Sequence, residues 1–307
     1  MKSIMYHYVQ QYNPKQRYAK YLDCKNFERQ IIYFKNKYNF FDCSNVENFF
    51  EKKNFKQKIF LTFDDALKSH YNFVYKILKK HNLNGIFYVP TLPYKNYKIL
   101  DVHKIHLILN TFGEKKAYTE LKRKLEIKMV DENKKIFFQD KVYKNQKNTF
   151  KSNFFKKILN YYIKDKYKSY ITKKLFKKFF PDLNEKKYCN DFYLSEKEIK
   201  IMSKRGMVFG GHTVSHRVLS KLSKKEILNE VKSSLEFVDN YSSYRTFAYP
   251  YGGFHSFNQY SENVLNKFKV KFSMNVENKD ITYKSLITRP QALSRFDCNK
   301  FPYGQLQ

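Results

Sequence analysis

Three short clusters in this chain combine residue types and spacings that could do chemistry. Asp64 and Asp65 stand side by side at the end of the apolar run Lys58-Ile-Phe-Leu-Thr-Phe63, His212 and His216 stand four apart in His-Thr-Val-Ser-His, and Tyr249-Pro-Tyr-Gly252 closes a later aromatic run. Adjacent carboxylates repel each other unless a cation lies near. On extended backbone they point to opposite sides, so one can bind a metal while the other faces a substrate. Imidazoles four apart project on one side of a helical turn, a spacing that paired metal ligands use. Asp65, His212 and His216 together offer one carboxylate and two imidazoles, a facial set that leaves positions open for water and substrate.

Neither the acidic pair nor the HxxxH spacing is specific alone: an Asp pair recurs in turns and helix starts, and with eight His in the chain some i, i+4 pair arises by chance about 0.2 times. Their placement makes them informative. Lys58–Phe63 has the unbroken apolar and aromatic profile of a strand buried on both faces. Phe73, Val74, Ile77, Leu78 and His81 follow at helical spacing, and Ile86–Val89 reads as a second strand stopped by Pro90. The same grammar returns later. Ser195 with Glu198 and Ser223 with Glu226 are capping boxes opening helices, Gly206 is placed as a helix stop, and strands are expected over Met207–Phe209, Tyr244–Tyr249 and Val270–Met274. Alternating strands and helices predict an α/β fold with a parallel sheet, in which groups at the C-terminal strand ends face the site. From 92 to 192 the strand rhythm stops, and Lys-rich helical patterns such as Phe154, Phe155, Ile158, Leu159 and Tyr162 predict a helical insertion within one domain spanning 1–307.

Composition narrows the function classes. The chain of 307 residues carries a formal charge of +32, yet 19% of it is aromatic, which excludes a disordered basic tail. Only eight of its 60 basic residues are Arg. The planar fork that reads bases and clamps phosphates is therefore scarce, and no specific nucleic-acid partner is expected. The Lys, Asn, Phe, Tyr and Ile richness is the signature of an A/T-rich coding bias, which produces basic charge without an anionic partner. The cysteines at 24, 43, 189 and 298 form no CxxC pair and are expected as reduced structural thiols. The N-terminus has no apolar signal region and no window approaches the ~18 apolar residues of a membrane span, so a cytoplasmic location is expected.

Thr62-Phe-Asp-Asp65, His212-Thr-Val-Ser-His216 and Tyr249-Pro-Tyr-Gly252, in that order, resemble the first three motifs of the polysaccharide deacetylases, carbohydrate esterase family 4. Met5-Tyr-His-Tyr-Val9 and Leu100-Asp-Val-His-Lys-Ile-His106 are similar to segments of bacterial members acting in surface-glycan pathways. The resemblance covers residues 1–109 and 194 to about 296. It implies a distorted (β/α) barrel of the polysaccharide deacetylase type and a metal-dependent hydrolase removing an N-acetyl group from a sugar in capsule or lipopolysaccharide-type biosynthesis. The implied metal is divalent, zinc first, with cobalt, nickel or manganese as alternatives. Asp65, His212 and His216 would ligate it, Asp64 would be the general base, and the backbone N–H of Tyr251 would face the developing oxyanion. Tyr249, Pro250 and His7 are placed at the substrate.

Departures from the family pattern are specific. Ala66 stands where a glycine usually follows the acidic pair, a mild change if φ there stays negative. The arginine that commonly precedes Pro-Tyr-Gly and holds the base is absent, and Arg295, ahead of Arg289, is its expected replacement on a late strand end. No histidine lies beyond 255 to match the usual general acid, leaving His255 and His7 as candidates. Two readings from other classes remain: a non-catalytic glycan-binding relative, and a basic binder of nucleic acid or of an anionic membrane at the inner face. Contact of the latter kind is compatible with an enzyme acting on anionic or lipid-linked glycan intermediates.

Overall fold

The apolar run at 58–64 becomes the centre of a parallel sheet. In the computed structural model, which describes residues 1–45, 47–51, 55, 57–143, 146 and 148–307, eight strands join it: β1 (Lys2–Tyr6), β2 (Asn39–Phe40), β3 (Lys58–Asp64), β4 (Ile86–Val89), β5 (Val208–Gly211), β6 (Thr246–Ala248), β7 (Phe272–Met274) and β8 (Phe296–Asp297). Their order is β8-β1-β3-β4-β5-β6-β7, with β2 beside β3, and every pairing is parallel. β4 is buried throughout and β3 along all but its first residue, as expected of strands covered on both faces. The sheet curls until its ends meet through one late segment. Leu293 bridges Met274 at the end of β7, and three residues on, Phe296 pairs with Ile4 of β1. This is the distorted (β/α) barrel expected from the sequence.

The abundant rings fill the space between sheet and helices. Tyr6 stacks on Phe63 at 5.3 Å and Phe63 on Phe87 at 4.7 Å between centroids, with Phe27 edge-on to Tyr6 at 5.0 Å. Both capping boxes form, opening the helices Glu196–Ser203 and Lys224–Val238. Gly206 has the left-handed backbone of a helix stop, φ 83°. The helix expected around 73–81 instead begins as a wide turn, His70–Tyr75, before Lys76–Lys80. That turn leaves His70 fully buried, with its Nε2 2.7 Å from the carbonyl oxygen of His7. None of the four cysteines forms a disulfide, and all are buried.

The chain divides into two compact units. One comprises Met1–Gln11, Tyr21–Tyr97 and Cys189–Gln307, and holds the sheet; the other comprises Lys98–Tyr188 with Tyr12–Lys20. The second unit is mainly helical, with Asp101–Lys124, Glu132–Phe138, Phe150–Lys157 and Asp165–Phe179 packed on buried Ile105, Ile108, Leu121, Phe155, Leu159 and Leu175. This unit recruits the distant Tyr12–Lys20. Gly113 explains part of that recruitment. Its φ of 77° kinks the long helix, and a Cβ there would lie 3.3 Å from the ring of Tyr18. Among the described residues no helix is long and apolar enough to cross a membrane.

Candidate metal and catalytic site

The acidic pair ends β3 and then splits. Asp64 keeps strand geometry, whereas Asp65 and Ala66 turn left-handed, with φ of 78° and 49°. The condition for a mild change at Ala66, a negative φ, is not met: the backbone retains the geometry for which glycine is suited, and an alanine occupies it at a cost of about 1–2 kcal/mol. The turn is held from outside. Leu194 N donates to the Ala66 carbonyl at 2.8 Å, and Leu67 bridges Tyr193. As a result Asp64 and Asp65 serve different partners.

His212 and His216 also differ from expectation, because they occupy an irregular loop after β5 and not a helical turn. Thr213 and His216 are left-handed, φ 64° and 56°, and His216 N donates to Thr213 Oγ1 at 2.9 Å. The helix Lys224–Val238 fixes the loop through two polar residues on its buried face. Glu230 accepts from Val214 N at 2.8 Å, from Ser215 N at 2.9 Å and from the Ser215 hydroxyl, while Ser234 Oγ accepts from His212 N at 3.0 Å. A tertiary carboxylate thus satisfies loop N–H groups that a helix would have paired internally. Glu230 was not singled out from the sequence. Its signal is a carboxylate one residue before Val231, on a face otherwise made of Ile227, Val231, Leu235 and Val238.

The loop brings three donors together. One ligand atom each from Asp65, His212 and His216 fall within 4.8 Å of one another, all three residues being buried. Asp65 Oδ1 lies 3.3 Å from His216 Nε2 and 3.7 Å from His212 Nε2. Whether a metal fits is tested by His212. Its Nδ1 lies 2.7 Å from the Ala248 carbonyl oxygen, to which only an N–H can donate. The proton is thereby placed on Nδ1, and Nε2 is left as a bare lone pair, buried and without a hydrogen-bond partner among the described residues. Burial holds this imidazole below its ordinary range against the pull of Asp64 and Asp65, which favours the neutral, ligating form. One carboxylate and two imidazoles, one already oriented, suit zinc and the neighbouring divalent transition metals.

Asp64 faces the other way, into a guanidinium. Arg295 Nη1 donates to Asp64 Oδ1 at 2.7 Å and Nη2 to Oδ2 at 2.9 Å, a bidentate pair with Arg295 0% and Asp64 2% exposed. The guanidinium also donates to Thr62 Oγ1 and to the Asn275 carbonyl, both at 3.2 Å. Burial pushes the Asp64 carboxyl up, but Arg295, His212 and His7 outweigh it and hold the group below its ordinary value. Arg295 does not sit at a strand end. It precedes β8, inside the segment that closes the barrel, and its long side chain reaches the carboxylate through the interior. Arg289 pairs instead with Glu262 at 2.6 Å. His7, just past β1, brings Nε2 to 3.7 Å from Asp64 Oδ2 and is 38% exposed.

The third cluster is a tight turn after β6, with Tyr251 left-handed at φ 65° and Gly252 N donating to the Tyr249 carbonyl at 3.1 Å. Gly252 is required there, because its φ is 71° and a Cβ would lie 2.4 Å from Val276. The Tyr251 ring meets His216 at 5.0 Å, beside the three donors. Tyr249 and Pro250, placed at the substrate from the sequence, are both buried. Tyr249 is 1% exposed, stacks on Phe257 at 3.8 Å and donates its hydroxyl to the Gln291 carbonyl, so its ring is packed as core. Pro250 is buried in the turn and shapes it. His255 lies half-buried on the following loop, its carbonyl accepting from Ser220 Oγ at 2.7 Å. Asp65, Ala66, Thr213, His216 and Tyr251 are all non-glycine residues at positive φ, so strained backbone recurs in each of the three motifs.

A family model described as polysaccharide deacetylase matches residues 151–273, a stretch that includes the histidine and Tyr-Pro-Tyr-Gly motifs. No curated protein matches the chain. Among solved structures, the chain is similar to the Streptococcus pyogenes deacetylase PplD in complex with acetate, with TM-score 0.58 and 16% identity over 97% of this chain and 91% of that one. A polysaccharide deacetylase from Bacillus cereus gives TM-score 0.55 and 16% identity over 96% of this chain and 64% of its own. A de-N-acetylase from Aggregatibacter actinomycetemcomitans gives TM-score 0.50 and 12% identity over 96% and 93%. The fold is that of the polysaccharide deacetylases.

Proposed function

We propose that this chain is a metal-dependent hydrolase that removes an N-acetyl group from a sugar of a bacterial surface glycan. The observation that carries the reading is the division of labour within the acidic pair: Asp64 is locked on Arg295, while Asp65 converges with two imidazoles, one of them oriented as a lone-pair donor. Asp65, His212 and His216 would hold a divalent cation, zinc first, which when bound supplies Lewis-acid polarisation of the amide carbonyl and a more acidic water.

The protein's own groups account for the proton movements. As water attacks the carbonyl carbon, Asp64 takes its proton, and such assistance is typically worth ~10²- to 10⁴-fold. Arg295 fixes the orientation of that carboxylate and keeps it ionised. The N–H of Tyr251, beside His216, is assigned to the oxyanion. Collapse breaks the C–N bond, acetate departs, and the sugar nitrogen takes up a proton. His7 is assigned that donation ahead of His255, because its ring already lies beside Asp64 at the mouth of the site. The substrate is an N-acetylated sugar or glycan intermediate, with the Lys-rich exterior suited to anionic carriers on the cytoplasmic side of a membrane.

The test is acetate release from N-acetyl sugars by metal-loaded protein, with metal content measured alongside. Wild type is expected to bind roughly one zinc per chain and release acetate, and Asp64→Asn to keep the zinc while losing at least ~10²-fold in rate. Undiminished acetate release by Asp64→Asn would remove Asp64 as base. Sugar binding without acetate release across metals would instead favour a non-catalytic glycan-binding protein.

A further inference from the structure

His7, the assigned proton donor, stands just past the end of a strand ladder. The pairing of β1 with β3 ends at Tyr6 and Phe63, and the next backbone pairing begins at the Tyr8 carbonyl, which accepts from Leu22 N at 2.9 Å. The His7 carbonyl falls between the two and needs a donor from elsewhere. His70 supplies it, with its Nε2 2.7 Å from that oxygen. A carbonyl only accepts, so Nε2 carries the proton, and Nδ1 is left as a lone pair, buried and without a hydrogen-bond partner among the described residues.

The donor is itself held rigidly. His70 N donates to the Leu67 carbonyl at 2.9 Å, and the buried ring packs edge-on to Phe63 at 5.7 Å and tilted on Phe87 at 5.8 Å. Phe63 immediately precedes Asp64 in β3, so the strand that presents the base also frames the group that holds the acid. The direction of the His7 carbonyl matters because β1 fixes the chain entering His7 while the bond to His70 fixes the chain leaving it. Together they set where the His7 Cβ leaves the backbone. The ring beyond that Cβ is partly open to solvent, with Nε2 3.7 Å from Asp64 Oδ2, so its place beside the base depends on the backbone beneath it.

The geometry points to His70 as a positioning residue for the proton donation: through the His7 carbonyl it holds the His7 imidazole beside Asp64. The inference rests on His7 being the donor in the deacetylase reading. Gln and Met at position 70 separate the donor from the packing, because both are unbranched and of like reach and only Gln carries an N–H, as many bonds from Cβ as Nε2. In zinc-loaded protein acting on the N-acetylglucosamine pentamer, His70→Met is expected to lower kcat about tenfold or more with KM and zinc content within about twofold of wild type, and His70→Gln to keep kcat within about threefold. His70→Phe, which keeps a ring and drops the donor, is the second donorless variant and is expected to behave as His70→Met. On a His7→Ala background His70→Met should have no further effect on kcat. Equal kcat in the Gln and the donorless variants, or an undiminished loss on the His7→Ala background, overturns the role. A kcat unmoved by His7→Ala alone removes the donor and the role with it. If wild type releases no acetate, the catalytic reading fails on its own, and the His7 ring resonances of the zinc-loaded protein decide the positioning: a displacement in His70→Met that is absent in His70→Gln upholds it, and equal shifts in both overturn it.

Discussion

Arg295→Met removes the guanidinium from Asp64 while keeping an unbranched side chain in its place. The change deletes the two charge-assisted hydrogen bonds to Asp64, of 2.7 and 2.9 Å, and leaves a carboxylate that is 2% exposed with only the His7 imidazole, 3.7 Å away, beside it. Hydrogen bonds to charged groups contribute about 1.5–3 kcal/mol each, so two give about 3–6 kcal/mol. Breaking a buried ion pair from one side typically costs ~3–5 kcal/mol. The two routes agree on roughly 4 kcal/mol, to be read as a lower urea midpoint at pH 7. The sign with pH also follows. With Arg295 in place the Asp64 carboxyl is held below its ordinary value, so its stabilisation is complete above the ordinary carboxylate range and is lost as pH falls through the lower, folded-state value. Without Arg295 the burial that already pushes this group up prevails, and the acid limb of the rate profile should move to higher pH. Adding Asp64→Asn to Arg295→Met should cost less than the sum of the single changes, by about 0.5–3 kcal/mol, because the stranded charge is gone. A loss below ~1 kcal/mol for Arg295→Met, with an unmoved acid limb, would refute the claim that this arginine holds the base.

Two further outcomes follow from the same geometry. Ala66→Gly should raise stability by about 0.5–1 kcal/mol, the relief of left-handed alanine less the entropy of glycine, and a destabilised variant by thermal melting would contradict the strain assigned to φ 49°. His70, fully buried against the stacked rings of Phe63 and Phe87, has its pKa lowered by burial from 6.5 to about 4. The unfolded chain therefore takes up a proton first, and the stability present above pH 6.5 is lost toward pH 4 at up to ~1.4 kcal/mol per pH unit. An unchanged acid slope of stability in His70→Gln would remove His70 as its source.

Several of these features could be read along the chain because their causes are local. An unbroken apolar run makes β3 whatever surrounds it, a capping box opens a helix wherever Ser and Glu stand three apart, and a proline followed by Tyr-Gly makes a turn. The acidic pair and the two histidines were legible for the same reason: polar groups that follow buried strands are costly unless they have partners, so their positions alone point to a site. Other features depended on neighbours distant in sequence. The spacing of His212 and His216 suggested a helical turn, but Glu230 supplies a competing set of hydrogen bonds and the loop adopts left-handed backbone instead. Tyr249 carries a motif position yet is consumed by packing on Phe257, which no local pattern could disclose.

The same distinction separates the two carboxylates. Sequence alone determined that Asp64 and Asp65 end a buried strand and must diverge, because alternation and burial act within a few residues. Which of them meets a guanidinium and which meets imidazoles was decided only when Leu293–Asp297 closed the barrel, carrying Arg295 across 231 positions of chain to Asp64. Long-range contacts of that kind have no periodicity to read. They arise because a curled sheet must join its ends, and the interior so enclosed is too dry for either charge to stand alone.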